Sequence, residues 1–395
     1  MTRVAVKPEL LDWARERAGL AVGMLADRFP KLDAWRQGEI QPTLKQLEEY
    51  ARATRTPIGL LFLPKPPVEN VPIPDLRTIG SERLGRPSPD LLDTIHLCQQ
   101  RQDWYRQNAL VLGEERLQFV GSATVQSDVV DTAARMRQTV GFDLDARAEA
   151  ATFLNALRNM IDAADRAGIL VMVSGIVGQN THRPLDTAEF RGFALSDDLA
   201  PLIFINGADT KSGQMFTLAH ELAHLWLGQS GVSDVTPASS VPQRALIERW
   251  CNAVAAEMLV PLDGFRQAYN RRAELRPEVQ RLSRVYKVST LVVLRRMLDA
   301  GGLTRPAFQA AFDDETKRLR AEMASKKAKS TGGDPFATGR VRVSPRFGRA
   351  LIAATWEGRA TFTEASRLLG FKSVKTIDRF GEELGLAEYV REGAV

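Results

Sequence analysis

The chain is poor in the residues that form disulfides or bind metals. Its 395 residues include only four histidines and two cysteines, Cys98 and Cys251. Two cysteines so far apart do not form the disulfide framework of a small secreted domain. The sequence also has no apolar signal at its amino terminus and no long uncharged apolar run that would span a membrane. We therefore expect a soluble cytoplasmic protein that has no membrane partner.

A strong excess of one charge is absent as well. The formal net charge is +5, which is small for this length and permits contact with nucleic acid without requiring it. The chain is 44% hydrophobic, which is enough for two or three domains with a sizeable core. Neither number indicates the oligomeric state.

Two of the four histidines stand in one short motif, His-Glu-Leu-Ala-His at residues 220–224. Histidines four apart lie one above the other on a helix face, with their Cβ atoms roughly 5–6 Å apart. Both imidazoles can then bind one tetrahedral zinc, and Glu221 is placed to act on a water bound to it. The alternative is a pair of helical histidines that face solvent or a polar pocket without a metal.

The residues around the motif predict a helix over 214–227. This run contains neither proline nor glycine, and Gly228 follows it as a cap. His220, His224 and Thr217 lie on one side of the helix, opposite an apolar stripe. The stripe consists of Met215, Leu218, Leu222, Leu225 and Trp226. We expect the helix to pack on its stripe and to turn its histidine face to a polar metal cleft.

A catalytic zinc needs a third protein ligand and one open position. A second helix is predicted over residues 245–260. Glu248 shares a face with small or polar residues, which lets that face approach the metal helix closely, whereas Glu257 points about 180° away, to the core side. The pattern favours Glu248 over Glu257 as the ligand. Asn252, one turn later, is a candidate hydrogen-bond partner for a ligand histidine.

The other metal-binding side chains are less suitable. His96 and His182 lie upstream without a neighbouring ligand, and Cys98 is isolated. Cys251 is a further potential ligand, but a thiolate would make zinc a weaker Lewis acid, and a small buried residue is the favoured interpretation.

These residues predict hydrolysis of a peptide bond. Zinc lowers the pKa of its bound water and polarises the scissile carbonyl. Glu221, the predicted catalytic residue, accepts the proton of that water and delivers it to the leaving amine. The group that stabilises the oxyanion is not identified, because the five tyrosines are scattered along the chain.

The motif and its surroundings resemble the ImmA/IrrE family of zinc metallo-endopeptidases. The similar runs are EFRGFALSDDLAPLIFINGADTKSGQMFTLAHELAHLWLG and IERWCNAVAAEMLVP, within residues 165–300. The resemblance implies zinc on His220, His224 and Glu248, with Glu221 catalytic. Many members have an arginine just before the Phe-Thr pair, where this chain has Gln214 and Met215. Any role of that arginine is therefore in doubt here.

The resemblance also implies a substrate class. Such enzymes typically cut a helix-turn-helix repressor, often encoded next door, and so switch on genes of stress response or of mobile elements. We therefore expect such a repressor as the protein substrate. The alternative is a DNA-binding transcriptional regulator or an antitoxin-like binding protein whose zinc is structural or weakly active. The intact motif and the facing of Glu248 favour the enzyme.

The predicted fold is mostly helical α+β, with a gluzincin-like zinc peptidase domain flanked by helical modules. Strands are predicted at ILVMV, EFRGFAL and LIFIN, before the motif helix. The predicted order of segments is a helix-turn-helix module at 1–63, a proline-rich linker at 64–90, the peptidase domain with a helical lead-in at 91–325, a flexible basic linker at 326–340, and a carboxy-terminal helical module at 341–395.

The first module resembles the XRE type of helix-turn-helix, with one departure. Its recognition region is about four residues short, one helical turn, and Pro30 falls where the turn into the recognition helix should lie. Leu44, Leu47 and Ala51 are expected on the inner face of its fourth helix. We expect weak DNA binding without sequence preference, and a docking role instead.

The last module shows a similar outline. Thr361 and Ser373 are predicted to begin two short helices, separated by a turn at Gly370. Basic residues near its exposed face permit nucleic-acid contact, but most hairpins of this outline bind nothing charged. These residues are Lys372, Lys375 and Arg379.

Overall fold

The computed structural model describes residues 2–75, 87–142, 144–233, 242–327 and 342–386. The predicted basic linker therefore lies almost entirely outside the described residues. The chain divides into two compact units, Met1–Pro72 with Ser81–His96 and Ile73–Gly80 with Leu97–Val395. No helix within the described ranges is long and apolar enough to cross a membrane.

The first unit is helical and contains α1 (Pro8–Arg17), α2 (Val22–Ala26), α3 (Leu32–Arg36), α4 (Leu44–Ala53) and a 3-10 helix (Ile58–Phe62). Thr43 caps α4, because its Oγ1 accepts a hydrogen bond from Gln46 N. Leu47 and Ala51 are buried as predicted, but Leu44 is 44% exposed. The prediction for Leu44 is wrong because the first turn of the helix lies at the edge of this small core.

The helix at the position of the predicted recognition helix is short. α3 has five residues, of which Leu32 and Trp35 are buried. Arg36 Nε donates to Asp12 Oδ1 at 2.7 Å, so an acidic partner holds its guanidinium. The exposed Asp33 adds a negative charge to the same helix. This helix offers little basic surface to a major groove.

The second unit is built around one four-stranded sheet. Its helices before the sheet are α5 (Pro89–Leu112, which begins in the first unit), α6 (Val129–Val140), α7 (Leu144–Glu149) and α8 (Phe153–Arg166). Those after the third strand are α9 (Lys211–Trp226), α10 (Pro242–Leu259), α11 (Leu262–Ala268), α12 (Leu275–Tyr286), α13 (Thr290–Asp299) and α14 (Arg305–Lys327). The predicted class, mostly helical α+β, is confirmed.

The sheet has the order β1-β3-β2-β4 and is mixed. The three predicted strands are β1 (Leu170–Ser174), β2 (Gly192–Leu195) and β3 (Leu202–Asn206). All their residues are buried, as their continuous apolar runs indicate. A fourth strand, β4 (Gly231–Ser233), follows α9 and pairs antiparallel with β2. Its three residues carry too little pattern to be predicted.

The carboxy-terminal helices are α15 (Pro345–Trp356), α16 (Phe362–Leu369) and α17 (Val374–Glu383). Thr361 and Ser373 cap α16 and α17, and Gly370 is left-handed between them, as predicted. These helices belong to the second unit. Asp165 at the end of α8 accepts hydrogen bonds from Ser344 Oγ and Arg349 Nη2.

Candidate metal centre

The histidine motif lies on α9, in the middle of the second unit. Thr210 caps this helix, which begins three residues before the predicted start. His220 and His224 are completely buried. The histidine face is thus turned to the buried carboxylate of Glu248 rather than to solvent. The sheet and α8 pack on other sides of α9, and α10 covers the histidines.

The second helix brings a carboxylate to both histidines. Glu248 Oε2 lies 3.3 Å from His220 Nε2, and Glu248 Oε1 lies 3.3 Å from His224 Nε2. The two Nε2 atoms are 3.1 Å apart. All three side chains are buried, and their donor atoms lie within 4.8 Å of one another. The residues predicted as ligands thus converge on one place.

These distances fit a tetrahedral metal ion. Ligands bound at zinc-like distances of about 2.0–2.1 Å occupy tetrahedral corners that are roughly 3.3 Å apart. The observed separations of 3.1 and 3.3 Å are close to that edge. Two imidazoles and one carboxylate are also a donor set that zinc accepts.

The electrostatics of the cluster favour an ionised Glu248 and a neutral His224, whereas Glu248 stabilises the protonated form of His220. Burial opposes the charge of Glu248, but the two histidines outweigh this effect and lower its pKa to about 2. Burial lowers the pKa of His224, which keeps that imidazole neutral. For His220 burial also acts to lower the pKa, but the charge and hydrogen bond of Glu248 raise it overall. An ionised carboxylate is thus held beside two imidazoles.

Asn252 orients one of the histidines. His220 Nδ1 lies 3.1 Å from Asn252 Oδ1, the contact that the sequence predicted. With the amide oxygen as acceptor, Nδ1–H donates to it, and Nε2 keeps its lone pair for the cluster.

Glu221 lies between the two histidines on α9 and is not one of the three clustered donors. It is completely buried. The neighbouring strand approaches it at Gly192, where an added Cβ would lie 3.2 Å from Glu221 Oε1 and 2.8 Å from Phe204 O. Glycine at position 192 therefore leaves room for the Glu221 carboxylate that any side chain would fill. The sequence match at Gly192 indicated a strand but not this contact.

The region that contains these features matches a known family. Residues 164–298 match the Peptidase_M78 model, described as the IrrE N-terminal-like domain. The match covers less than half of the chain, so we describe this region as similar to an IrrE N-terminal-like domain. The resemblance to the ImmA/IrrE family is thus confirmed there, and the match supports a metallopeptidase.

The matched region, residues 164–298, contains the whole sheet and the helices α9 and α10. Residues 343–383 match a second family, the domain of unknown function DUF8813. A search of curated proteins finds no match. Neither family model covers residues 1–63, so the helix-turn-helix resemblance there stays a prediction.

Glu257, the less favoured ligand candidate, also lies on α10, but it contacts other partners than Glu248 does. Its Oε2 accepts a hydrogen bond from Arg296 Nη2 at 2.9 Å. Its carboxylate also accepts from Leu262 N at the start of α11. Glu257 and Arg296 thus form a buried ion pair with a structural role, and the Leu262 N–H adds a hydrogen bond to it.

Cys251 and Gln214 have structural surroundings. Cys251 is completely buried in the apolar core, and burial raises the pKa of its thiol well above the usual value, so it stays protonated. Gln214 and Met215 stand in the region where the resemblance leads us to expect an arginine. Gln214 Nε2 donates to Gly207 O at 3.0 Å and to Asp209 O at 2.6 Å, which secures the turn before α9.

Proposed function

We propose that this protein is a regulatory zinc metallo-endopeptidase that cuts a partner protein. The observation that carries the proposal is the convergence of His220, His224 and Glu248 beside Glu221. The match to a peptidase family supports it independently. When bound by these three ligands, zinc acidifies a water and polarises the scissile carbonyl.

The side chains of the chain have separate roles in this scheme. His220, His224 and Glu248 hold the metal, and Asn252 keeps His220 in the ligand tautomer. A Glu221 carboxylate oxygen accepts a proton from the attacking water and then gives it to the leaving amine. Burial excludes competing solvent from this transfer.

We further propose a helix-turn-helix transcriptional repressor as the substrate, whose cleavage derepresses genes of stress response or mobile elements. The ImmA/IrrE resemblance supports this substrate class. The short α3 supports an adaptor role for the first unit.

The test uses the full-length protein, loaded with zinc, and purified helix-turn-helix proteins encoded beside its gene. We expect wild type to cut one of them at a defined bond, seen by mass spectrometry. Glu221→Gln should keep zinc but lose about 10²- to 10⁴-fold in rate, because the amide cannot accept a proton. Glu364→Gln on α16 removes the same charge away from the site and should cleave normally.

Two results would count against the proposal. Cleavage by Glu221→Gln at the wild-type rate would contradict the proposed role of Glu221 as the proton acceptor. Tight binding of zinc and partner, without cleavage by wild type, would favour the binding-protein alternative.

A further inference from the structure

A short segment of the chain covers the β4 edge of the four-stranded sheet. Val232 N in β4 donates to Pro74 O at 3.0 Å, and Asp75 forms a parallel bridge with Val232. Arg244 Nη1 at the start of α10 donates to Asp75 O, also at 3.0 Å. We call Ile73–Asp75 the strap. It belongs to the second unit, like every residue it contacts here.

The strap is separated by one strand, β4, from β2, the strand that contacts the proposed catalytic residue Glu221. Ser233 of β4 is in register with Gly192 of β2. Gly192 is the residue whose added Cβ would lie 3.2 Å from Glu221 Oε1. Since neighbouring strands are about 4.8 Å apart, the strap lies roughly 10 Å from β2, on the far side of β4. The covered edge therefore adjoins the site.

A sheet edge is a general binding place for an extended peptide. Its unpaired N–H and C=O groups can take one more strand, which gives affinity with little dependence on sequence. Val232 N–H is such a group, and the strap already occupies it. An extended peptide that paired with β4 would need the same N–H.

We propose that the strap occupies the sheet edge at which an extended protein substrate pairs, so that a substrate must displace it. This inference rests on the proposed peptidase function and adds an autoinhibitory contact to it. The strap sequence suits displacement. Pro74 accepts through its carbonyl but has no N–H to donate. The hydrogen bonds from Val232 N and Arg244 Nη1 to the strap each contribute little.

The first measurement follows the strap without using catalysis. Arg244→Ala removes the donor to Asp75 O. Arg249→Ala is the matched control, because Arg249 Nε donates to Ala245 O within its own helix. We expect hydrogen–deuterium exchange at the Val232 amide of the zinc-free full-length protein to rise about five-fold in Arg244→Ala. Exchange in Arg249→Ala should stay at the wild-type rate. Equal exchange in all three proteins would overturn the pairing.

The second measurement tests competition with a substrate backbone. In zinc-loaded Glu221→Gln protein, Ile73, Pro74 and Asp75 are replaced together by glycine, and fluorescein-labelled β-casein serves as the unfolded probe. Replacement of Pro66, Pro67 and Val68 by glycine is the control in the same proline-rich stretch, where Val68 is exposed. We expect the strap variant to bind casein at least about five-fold more tightly and the control variant to bind as the parent does.

The outcomes separate this inference from the proposed function. Tighter casein binding by the strap variant supports the strap even if no protein is ever cut. Aggregation of the strap variant without tighter binding would show that the strap only protects a sheet edge, and it would overturn the inference. If the wild-type protein cleaves its substrate but the strap variant binds casein as its parent does, the autoinhibitory role of the strap is wrong and the proposed peptidase function stands.

Discussion

Asn252 Oδ1 lies 3.1 Å from His220 Nδ1 and joins α10 to the ligand histidine of α9. Glu248 reaches both histidines from one turn earlier on the same helix. One helix therefore supplies both a proposed metal ligand, Glu248, and the group that orients another, His220. Such outer partners fix the tautomer and direction of a ligand imidazole.

Replacement of Asn252 should weaken metal binding without removing a ligand. Asn252→Ala is expected to lower zinc affinity about 10- to 100-fold, whereas Asn252→Asp keeps an acceptor and should lose less. Competition with a chromophoric chelator measures both. Wild-type affinity in Asn252→Ala would show that the hydrogen bond does not orient His220.

The two glutamates of α10 should behave differently. Alanine at His220, His224 or Glu248 should abolish stoichiometric zinc in metal analysis. Glu257→Ala should keep zinc but lose about 1–3 kcal/mol of unfolding free energy, because it removes the closer partner of the buried Arg296 and leaves it the Asp299 carboxylate at 3.4 Å. Urea unfolding measures that loss. Zinc lost from Glu257→Ala in protein that is still folded would reverse the assignment.

Gly192 should tolerate no side chain. Gly192→Ala places a Cβ 2.8 Å from the backbone oxygen of Phe204 and against Glu221, so we expect a loss of about 1–3 kcal/mol of stability and slower cleavage. Gly264→Ala on α11 is the control, since a Cβ there meets nothing within 4 Å. Equal stability and activity in the two variants would contradict the close approach of β2 to Glu221.

The first unit should bind DNA only weakly. Because α3 is short and carries Asp33, affinity should come from phosphate contacts and fall steeply with salt in gel shifts of the full-length protein. Removal of residues 1–63 should leave zinc binding intact, since the ligands lie downstream, and should impair recognition of the protein partner. Tight, salt-tolerant binding to one DNA sequence would instead support the transcription-regulator alternative.

Much of the fold and site could be predicted because their signals are local. Runs of four to five apolar residues predicted β1 and β3, and cap residues such as Thr361 and Ser373 predicted helix starts. The errors have a common cause. The short β4 and the exposure of Leu44 both depend on which elements pack together, and no local pattern records that.

The sequence by itself determined the chemistry that α9 and α10 carry. A spacing of four residues puts His220 and His224 on one helix face, and helical periodicity separates Glu248 from Glu257. Only the tertiary structure decided that Glu248 comes within 3.3 Å of both histidines, that Arg296 holds Glu257, and that the strap lies on β4. These pairs are distant along the chain, and the packing of whole elements brings them together, because helix geometry acts only over a few neighbouring residues.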